Sequence, residues 1–409
     1  MIIRKIKPTE LKRTHELFAI AFGFSADIDK SAEQFFEDIS RNPRSREDAF
    51  WNERWAAFED DDRTMMSYFA AQPFPVHFDG NIYNMTGIGG VASLPQHRRK
   101  GGIRSCFEAA LPAMYRDGTA FSYLYPFSSA YYRKFGYEMG CERHQYHVRL
   151  SSLHYFDVSG SCSLVEQDHL MLDEIRQIYR VWQNKYNMMI ANEAYEFAWV
   201  SKSNPVKDQI FTYVYKSKDN EPMGYLSVKE AVEPDGRNLQ CFRFCFTCAE
   251  GLKGLLNLLI SLGSSYDYAD FEVPGDADVT LLLPEWSMGA VSLRKSWYGM
   301  VRVVNVEKVL AGARYLGSGT LSIAVSDRQI AENCGTFVVN FSDGRAVSVI
   351  KSPAAAPDVS MEINEFSRLI IGACDAGALQ YMNNAVIHTD TAAIGQVFYQ
   401  KPNLILEYF

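Results

Sequence analysis

A basic turn with two glycines separates a strand-like segment from a helix-like segment in the first third of the chain. The turn reads QHRRKGG over residues 96–102, and the helix-like segment starts at Ile103. Free backbone N–H groups at the start of a helix point at one spot, where the helix dipole also favours negative charge. Arg98, Arg99 and Lys100 add positive charge at the same place. The turn therefore predicts a phosphate or pyrophosphate site, with a solvated basic loop as the alternative.

Two common phosphate-binding loops are excluded by the residues that are present. No Gly-Lys-Ser or Gly-Lys-Thr follows the glycines, so the turn is not a Walker loop. The pair Gly101-Gly102 lacks the third glycine and the downstream acid of the dinucleotide fingerprint. The arrangement Arg-Arg-x-Gly after a strand instead resembles the pyrophosphate loop of GNAT N-acetyltransferases, which holds the phosphates of acetyl-coenzyme A. Position 103, which is Gly or Ala in the general pattern, is Ile103 here.

Further motifs narrow this resemblance to one type of GNAT enzyme. The chain carries P-x-H-R-R-x-G at residues 95–101 and Y-x-x-F-G-Y at residues 132–137, and its last residue, Phe409, is aromatic. The stretch MVRVVNV at residues 300–306 is similar to the segment that leads into the C-terminal domain of that type. On these motifs the chain resembles the enhanced-intracellular-survival (Eis) type of acetyltransferase, and the resemblance spans almost the whole chain.

The order of strand-like and helix-like segments fits the fold that this resemblance implies. Residues 64–78 and 81–93 are β-rich runs around an Asp-Gly turn, which predicts a central hairpin. The implied fold is α/β (α+β), with tandem GNAT-like domains followed by a sterol-carrier-protein-like domain. We predict a catalytic domain at 1–150, a second GNAT-like domain at 151–290 and the C-terminal domain at 291–409. No basic glycine turn precedes the helix-like segment of the second domain, so we expect no cofactor site there.

Acetyl transfer from a thioester to an amine needs a base for the amine proton, donors for the oxyanion and an acid for the thiolate. In the family that the chain resembles, the acid is a tyrosine at the position of Tyr132, and the base is the terminal carboxylate, here that of Phe409. An ordinary tyrosine pKa of about 10 keeps Tyr132 protonated at neutral pH. The apolar ending LILEYF favours burial of Phe409, whereas terminal residues are usually frayed. The alternative for Tyr132 is packing, as for the other tyrosines nearby.

The resemblance also implies which residues contact the co-substrate and the acceptor. The strand before the turn would pair with the pantetheine arm, the turn would hold the pyrophosphate, and the end of the next strand would add a contact. These residues are Val91, Ala92 and Ser93; Arg98, Arg99, Lys100, Gly101, Gly102, Ile103 and Arg104; and Phe127 and Ser128. Phe24, Asp27 and Glu407 are the candidate acceptor contacts, of which the two acids would suit a cationic acceptor, with plain solvation as the alternative.

The composition is that of a globular protein. With 409 residues, of which 47% are hydrophobic and 22% charged, the chain is long enough for two or three domains. A net charge of −8 argues against a general nucleic-acid binder. No apolar run approaches the roughly 20 residues of a membrane helix, and Pro8 breaks the strand-like start, unlike a signal peptide. We therefore expect a cytoplasmic protein without a membrane or nucleic-acid partner.

The eight cysteines are expected to be free thiols. Cys241, Cys245 and Cys248 lie on an alternating, strand-like segment and lack the paired spacing of a structural zinc site. We interpret this cluster as core and predict no metal site.

The sequence as a whole favours an acetyl-CoA-dependent N-acetyltransferase that acts on a primary amine, a small molecule or a peptide. The family suggests an aminoglycoside, a polyamine or a lysine side chain as acceptor, and a homo-oligomer, a hexamer by resemblance. Transfer to a hydroxyl, or of a longer acyl group, is one alternative. The other is a binding protein that holds an apolar ligand in its C-terminal domain and has a vestigial site. Arg99, Gly101 and Tyr132 favour the enzyme, because a vestigial site is expected to lose such residues.

Overall fold

The computed structural model describes residues 1–25, 34, 54–166, 171–191, 200, 204–234, 236–283 and 289–409. The chain divides into two compact units. The first consists of Met1–Gly140, Gly299–Lys401 and Glu407–Phe409, and the second of Cys141–Tyr298 and Pro402–Leu406.

The described part of the chain contains helices placed between runs of one to four strands. The helices are α1 (Leu11–Phe22), α2 (Gly102–Arg116), α3 (Ser129–Arg133), α4 (Leu172–Lys185), α5 (Pro205–Asp208), α6 (Ala249–Ser261), α7 (Val306–Gly312), α8 (Ile363–Ile370) and α9 (Ala392–Val397). The strands are β1 (Ile2–Lys5), β2 (Arg54–Phe58), β3 (Met65–Phe78), β4 (Asn81–Ser93), β5 (Phe121–Leu124), β6 (Glu138–Arg149), β7 (Ser161–Leu164), β8 (Phe211–Lys216), β9 (Pro222–Glu233), β10 (Gly236–Phe246), β11 (Tyr268–Pro274), β12 (Val291–Val303), β13 (Gly319–Ser326), β14 (Gly335–Ser342), β15 (Arg345–Lys351), β16 (Val359–Glu362) and β17 (Ala385–Ile387).

The first unit contains a sheet in the order β1-β2-β3-β4-β5, to which residues 299–303 of β12 add. Strands β1 to β4 pair antiparallel, and the predicted hairpin of β3 and β4 is confirmed. Its turn is Asp79-Gly80, both with positive φ, which suits a tight hairpin turn. Strand β5 pairs parallel to β4, and α2 makes the crossover between them.

The core of this sheet is aromatic where α2 packs on it. Phe107 of α2 stacks on Phe69 of β3 at a centroid distance of 4.7 Å and on Phe135 at 4.4 Å. All three rings are at most 2% exposed. Burial of rings of this size makes a large hydrophobic contribution and fixes the position of the helix.

The C-terminal part of the first unit forms its own sheet in the order β15-β14-β13-β16-β17. It is joined to the first part by buried polar contacts. The Arg302 guanidinium donates to both carboxylate oxygens of Asp327, at 2.8 and 2.7 Å, with both side chains fully buried. Asn364 Nδ2 donates to the main-chain oxygens of Arg133 and Tyr137, which belong to the Y-x-x-F-G-Y motif.

A second buried ion pair fixes the chain close to its end. Lys401 Nζ lies 2.6 Å from Asp79 Oδ2 and also donates to the main-chain oxygen of Arg314 at 3.1 Å. The Arg314 N–H donates to the same carboxylate oxygen at 2.7 Å. Burial lowers the pKa of Lys401, and the Asp79 carboxylate opposes that shift. The hairpin turn of β3 and β4 is thereby attached to residue 401.

The second unit repeats the strand order of the first. Its sheet has the order β12-β6-β11-β10-β9-β8-β7, with residues 291–298 of β12. Strands β8, β9 and β10 pair antiparallel, and β11 is parallel to β10 with α6 between them. The strands β2 to β5 follow the same order, with α2 between β4 and β5.

The cysteine cluster was predicted only in part. All eight cysteines are free thiols, and Cys241 and Cys245 are buried in β10. Cys248 is exposed, so its assignment to the core was wrong. It lies two residues beyond the end of β10 and is the N-cap of α6. None of the described helices is long and apolar enough to cross a membrane.

We predict that removing either partner of the buried pair destabilises the protein strongly. Asp79→Asn or Lys401→Met leaves an uncompensated polar or charged group in the interior, which typically costs about 3–5 kcal/mol. Urea unfolding of the full chain measures this change. Arg328→Gln, which breaks an exposed pair with Glu362, serves as the control and should change the free energy of unfolding by less than about 1 kcal/mol. Equal stabilities of all variants would contradict a stabilising role of the pair.

Candidate active site

Helix α2 starts at the basic turn, as the sequence predicted. Gly101 is the N-cap in the left-handed region, with φ of 87°, and no side chain caps the first turn. The first backbone N–H groups of a helix have no partner within the helix. Those of Gly102, Ile103 and Arg104 are therefore placed for an anionic ligand.

The two glycines of the turn have different roles. A Cβ on Gly102 would lie 2.7 Å from Ser67 Oγ and 3.3 Å from Ala57 Cβ, so the start of α2 packs closely on β2 and β3. A Cβ on Gly101 would have no described atom within 4 Å. Gly101 is therefore required by its positive φ, and Gly102 by close approach.

The basic side chains surround this helix start. Arg98, Arg99, Lys100 and Arg104 are all exposed. Lys100 Nζ lies 3.3 Å from His97 Nδ1. Within the described part of the chain, the three arginine side chains make no hydrogen bond or ion pair. The exposed basic side chains thus lie beside the uncapped start of α2.

Strands β4 and β5 separate beside this helix start. Their parallel register runs up to Ile88 opposite Leu124, and no later pair of the two strands is formed. On its other edge β4 continues its pairing with β3 up to Ser93, with an irregularity near Gly90. Residues 89–93 of β4 therefore present an edge to which an extended ligand can add like a strand. Ala92 is itself buried in the core, and Ser93 Oγ lies 2.7 Å from Ser67 Oγ.

Tyr132 lies on the short helix α3 and is 2% exposed. Its ring contacts Phe107 of α2 at a centroid distance of 6.2 Å and Tyr131 at 5.3 Å. Burial raises the pKa of Tyr132 well above its ordinary value. The hydroxyl therefore keeps its proton throughout the neutral pH range.

The two residues before α3 contact its first turn. Ser128 is the N-cap, and its Oγ accepts from the Tyr131 N–H at 3.4 Å. Phe127 is 74% exposed and covers the rings of Tyr131 and Tyr132 at centroid distances of 5.4 Å each. An aromatic ring this exposed is available for contact with a ligand.

Phe409 is seated against β4 of the same unit. A Cβ on Gly87 would lie 2.5 Å from the Phe409 ring, and a Cβ on Gly89 would lie 3.1 Å from both the carbonyl carbon and the oxygen of Phe409. The Phe409 ring lies 4.9 Å from that of Phe74. Glycines at 87 and 89 therefore make room for the ring and the carboxyl group of Phe409, respectively.

Tyr125, at the end of β5, holds the residues before Phe409. Its hydroxyl donates to the main-chain oxygen of Glu407. Its ring lies 4.5 Å from that of Tyr408 and 5.3 Å from that of Phe409. One side chain thus contacts all of residues 407–409.

A cavity of about 250 Å³ lies next to Phe409 within the first unit. Its walls come from α1, β2, β3 and β4. The described lining residues are Thr14, His15, Phe18, Arg54, Tyr68, Ala70, Gln72, Gly87, Gly89, Gly90 and Phe409. The cavity therefore brings Phe409 together with polar side chains from three elements, α1, β2 and β3.

Among the described lining residues, Arg54 has a positively charged side chain, and Phe409 has a carboxyl group. Burial lowers the pKa of His15, and the positive charge of Arg54 lowers it further. His15 is accordingly neutral at pH 7. Burial raises the pKa of Tyr68, which the nearby Arg54 partly offsets.

The three predicted acceptor contacts differ in their position relative to the cavity. Phe24 is 42% exposed and lies 5.3 Å from the ring of Phe18, which lines the cavity. Glu407 is 7% exposed and is not among the described lining residues. Asp27 lies outside the described residues.

The sequence analysis did not predict several residues that lie at the candidate site. The run Gly87-x-Gly89-Gly90 inside a strand is a recognisable signal of close approach, and it could have been used. Arg54 and Tyr125 carry no such signal: Arg54 lines the same cavity as Phe409, and Tyr125 contacts residues 407–409, only in the folded chain.

Comparison with protein families matches two parts of the chain. Residues 2–140 match the family model described as an acetyltransferase (GNAT) domain, and residues 306–404 match the sterol carrier protein domain. Comparison with curated proteins gives no match.

Solved structures share the fold over the full chain. A probable N-acyltransferase from Enterococcus faecalis has 22% identity and a TM-score of 0.81, covering 100% of this chain and 99% of its own. A GCN5-related N-acetyltransferase from Anabaena variabilis has 18% identity and a TM-score of 0.80, covering 100% of both chains. Eis1 from Mycobacterium abscessus has 16% identity and a TM-score of 0.77, also covering 100% of both.

The fold and the domain matches define the class of the protein. It is an acyltransferase of mixed α/β structure, with an N-terminal GNAT domain and a sterol-carrier-protein-like domain at residues 306–404. GNAT domains use acetyl-CoA as co-substrate. The uncapped start of α2, the close-packed Gly102 and the surrounding arginines fit its phosphates.

We predict that Gly87→Ala destabilises the protein because the new methyl group overlaps the rings of Phe409 and Phe74. Overpacking of this kind typically costs about 1–3 kcal/mol. Urea unfolding in the full chain and in a variant ending at Tyr408 measures it, and the cost should be smaller without Phe409. Gly395→Ala is the matched control, since a Cβ there has no described neighbour within 4 Å. An equal cost with and without Phe409 would show that Phe409 is not seated at Gly87.

Proposed function

We propose that the protein is an acetyl-CoA-dependent N-acetyltransferase of the Eis type that acetylates a primary amine. In this proposal Tyr132 is the general acid and the carboxyl group of Phe409 is the general base. The observation that carries the proposal is the position of Phe409, whose carboxyl group lies at Gly89 on β4 and lines a cavity of the acetyltransferase domain. A terminal residue held at so many points is unlike the usual frayed end.

The start of α2 supports the binding half of the proposal. The backbone N–H groups of residues 102–104 and the side chains of Arg98, Arg99 and Arg104 would hold the pyrophosphate, with Lys100 beside them. Residues 91–93 of β4 would pair with the pantetheine arm, and Phe127 and Ser128 would add contacts at the start of α3. Bound acetyl-CoA supplies the activated acetyl group.

The burial of Tyr132 supports its role as the acid. A proton donor must be protonated before it acts, and the raised pKa ensures this at any ordinary working pH. A desolvated phenol in an aromatic environment also loses little entropy when it meets its partner, because neighbouring rings already hold it.

The carboxyl group of Phe409 supports the other proton transfer. A terminal carboxylate is ionised at neutral pH and accepts a proton or holds an ammonium group. Within the described residues it makes no ion pair with any side chain. In this proposal it meets the amine of the acceptor in the cavity.

The start of α6 supports the proposal that the second unit has no cofactor site. Cys248 Sγ accepts from the Gly251 N–H, and Glu250 places an acid in the first turn. A Cβ on Gly251 would lie 2.2 Å from the main-chain oxygen of Met223, so this glycine serves packing. A capped and acidic helix start disfavours phosphate. A hexamer and a cytoplasmic location complete the proposal by resemblance to the Eis type.

We expect Tyr132→Phe to lower the turnover of amine acetylation by about 10²–10⁴-fold, the usual contribution of a general acid. Thiol release from acetyl-CoA with a panel of amines measures turnover, and calorimetry should show unchanged acetyl-CoA binding. Tyr131→Phe is the matched control and should retain turnover. The activity of the parent protein should not decline with tyrosine ionisation below about pH 10, because the pKa of Tyr132 is raised. Full turnover in Tyr132→Phe would exclude it as the acid.

We further expect that two or three residues added after Phe409 abolish turnover, because the carboxylate is then replaced by a neutral amide. Acetyl-CoA binding should stay intact, since α2 and Phe409 contact different parts of the domain. A variant that ends at Tyr408 should be equally inactive. An extended chain with full activity would remove Phe409 from the mechanism.

A further inference from the structure

The turn that follows Tyr132 is closed by hydrogen bonds within its own main chain. The Tyr132 carbonyl oxygen accepts from the N–H groups of Phe135 at 2.9 Å and Tyr137 at 3.4 Å. The Arg133 carbonyl oxygen accepts from the Gly136 N–H at 3.1 Å. Gly136 has a φ of 85°, so the chain reverses there in the left-handed region. The conformation of this turn therefore determines where the main chain of Tyr132 lies.

One side of the turn is held by the sheet of the first unit. The Tyr137 hydroxyl donates to Ser122 Oγ at 2.7 Å, because Ser122 itself donates to the Thr86 carbonyl oxygen at 2.9 Å. Phe135 stacks on Phe107 of α2. These contacts fix the side chains of the turn and leave its carbonyl oxygens to other partners.

The other side of the turn is held by helix α8, far along the chain. Asn364 of α8 is 7% exposed, and its Nδ2 donates to the carbonyl oxygen of Arg133 at 3.0 Å and to that of Tyr137 at 2.9 Å. A carboxamide has two N–H donors, so both are used. One side chain thus joins the carbonyl oxygens on the two sides of the reversal at Gly136.

The space around Gly136 is closed by residues from the same part of the chain. A Cβ on Gly136 would lie 1.7 Å from Arg302 Nη1 and 2.8 Å from Ile363 Cγ2. Arg302 lies on β12, and Ile363 is the first residue of α8. Helix α8 is fixed to β12, since Ser367 Oγ accepts from the Val303 N–H at 2.8 Å. The start of α8 is therefore a rigid support against the main chain of the turn.

We propose that Asn364 is a positioning residue for Tyr132, so that helix α8 takes part in acetyl transfer as well as Phe409. Asn364 holds the two carbonyl oxygens, the turn holds the main chain of Tyr132, and the hydroxyl keeps one orientation. A misplacement of about 1 Å at a reacting group can lower a rate about 10²-fold. The inference rests on the proposed function, in which the Tyr132 proton goes to the departing thiolate. Asn364 itself neither gains nor loses a proton.

The test measures kcat and KM of amine acetylation in Asn364→Leu, which has a similar size and no donor. We expect kcat to fall by about 10–100-fold, because both carbonyl oxygens lose their partner and the turn shifts. The KM for acetyl-CoA should stay unchanged, since α2 and β4 keep their contacts. Asn257→Leu is the matched control in the second unit, where Asn257 Nδ2 donates to the Phe156 carbonyl oxygen at 2.9 Å. Its kcat should equal that of the parent protein.

The same substitution in a Tyr132→Phe background separates positioning from a general loss of structure. Because Asn364 acts through the Tyr132 hydroxyl, Asn364→Leu should change kcat by less than about twofold once that hydroxyl is absent. An equal loss in both backgrounds would show a structural effect alone and would overturn the inference. An unchanged kcat in Asn364→Leu would overturn it as well.

A second variant, Asn364→Ser, covers the case in which leucine prevents folding. Serine adds no volume, and its hydroxyl has one donor in place of two. The kcat should again fall, and the loss should again depend on Tyr132. Circular dichroism and urea unfolding establish that the variant is folded at the assay temperature. A folded Asn364→Ser with the kcat of the parent protein would contradict the role of Asn364.

Failure of this inference differs from failure of the proposed function. If the unaltered protein acetylates no amine, the proposed function fails and the inference fails with it. Full turnover in Tyr132→Phe would remove the acid, and with it the need for a positioning residue. Lost turnover in Tyr132→Phe together with full turnover in Asn364→Leu would overturn the role of Asn364 alone.

Discussion

The close approach of Phe409 to strand β4 is the constraint on which the candidate site depends. The Phe409 ring lies where a side chain at position 87 would stand, and the Phe409 carboxyl group lies close to where one at position 89 would stand, so glycine at both positions leaves room for them. Glycine inside a strand weakens it, because the residue has no side chain to pack. In this structure the Phe409 ring replaces the missing packing, so the strand and the last residue stabilise each other.

The attachment of Phe409 requires the C-terminal part of the first unit to be fixed on the acetyltransferase part. Two buried ion pairs join these parts, Arg302 with Asp327 and Lys401 with Asp79. Arg302 and Lys401 lie at the two ends of the C-terminal segment, residues 302–401. Buried ion pairs often contribute little net stability, since desolvation offsets their attraction. Their geometry is nevertheless specific, and here that specificity fixes the position of the residues that precede Phe409.

Local features of the structure could be predicted from the sequence, whereas long-range ones could not. The bounds of β4 and the start of α2 follow from the Asp-Gly turn and the basic glycine turn, which act through neighbouring residues. Cys248 was misjudged because the alternation of β10 gave no sign of where the strand stops. The role of Tyr125 depends on contacts with residues more than 250 positions away, and no local pattern encodes such contacts.

The first unit is built from segments that lie far apart in the sequence, and this affects the order in which it folds. Its segments 1–140 and 299–401 are separated by the whole of the second unit, so its sheet gains the partner strand of β5 only after residue 303 exists. Contacts of such high sequence separation slow folding, since a long loop must close before they form. During synthesis, residues 1–140 are therefore made before the partners of Asp79 and of the edge of β5. The sheet is completed only after residues 300–303 and Lys401 have been synthesised.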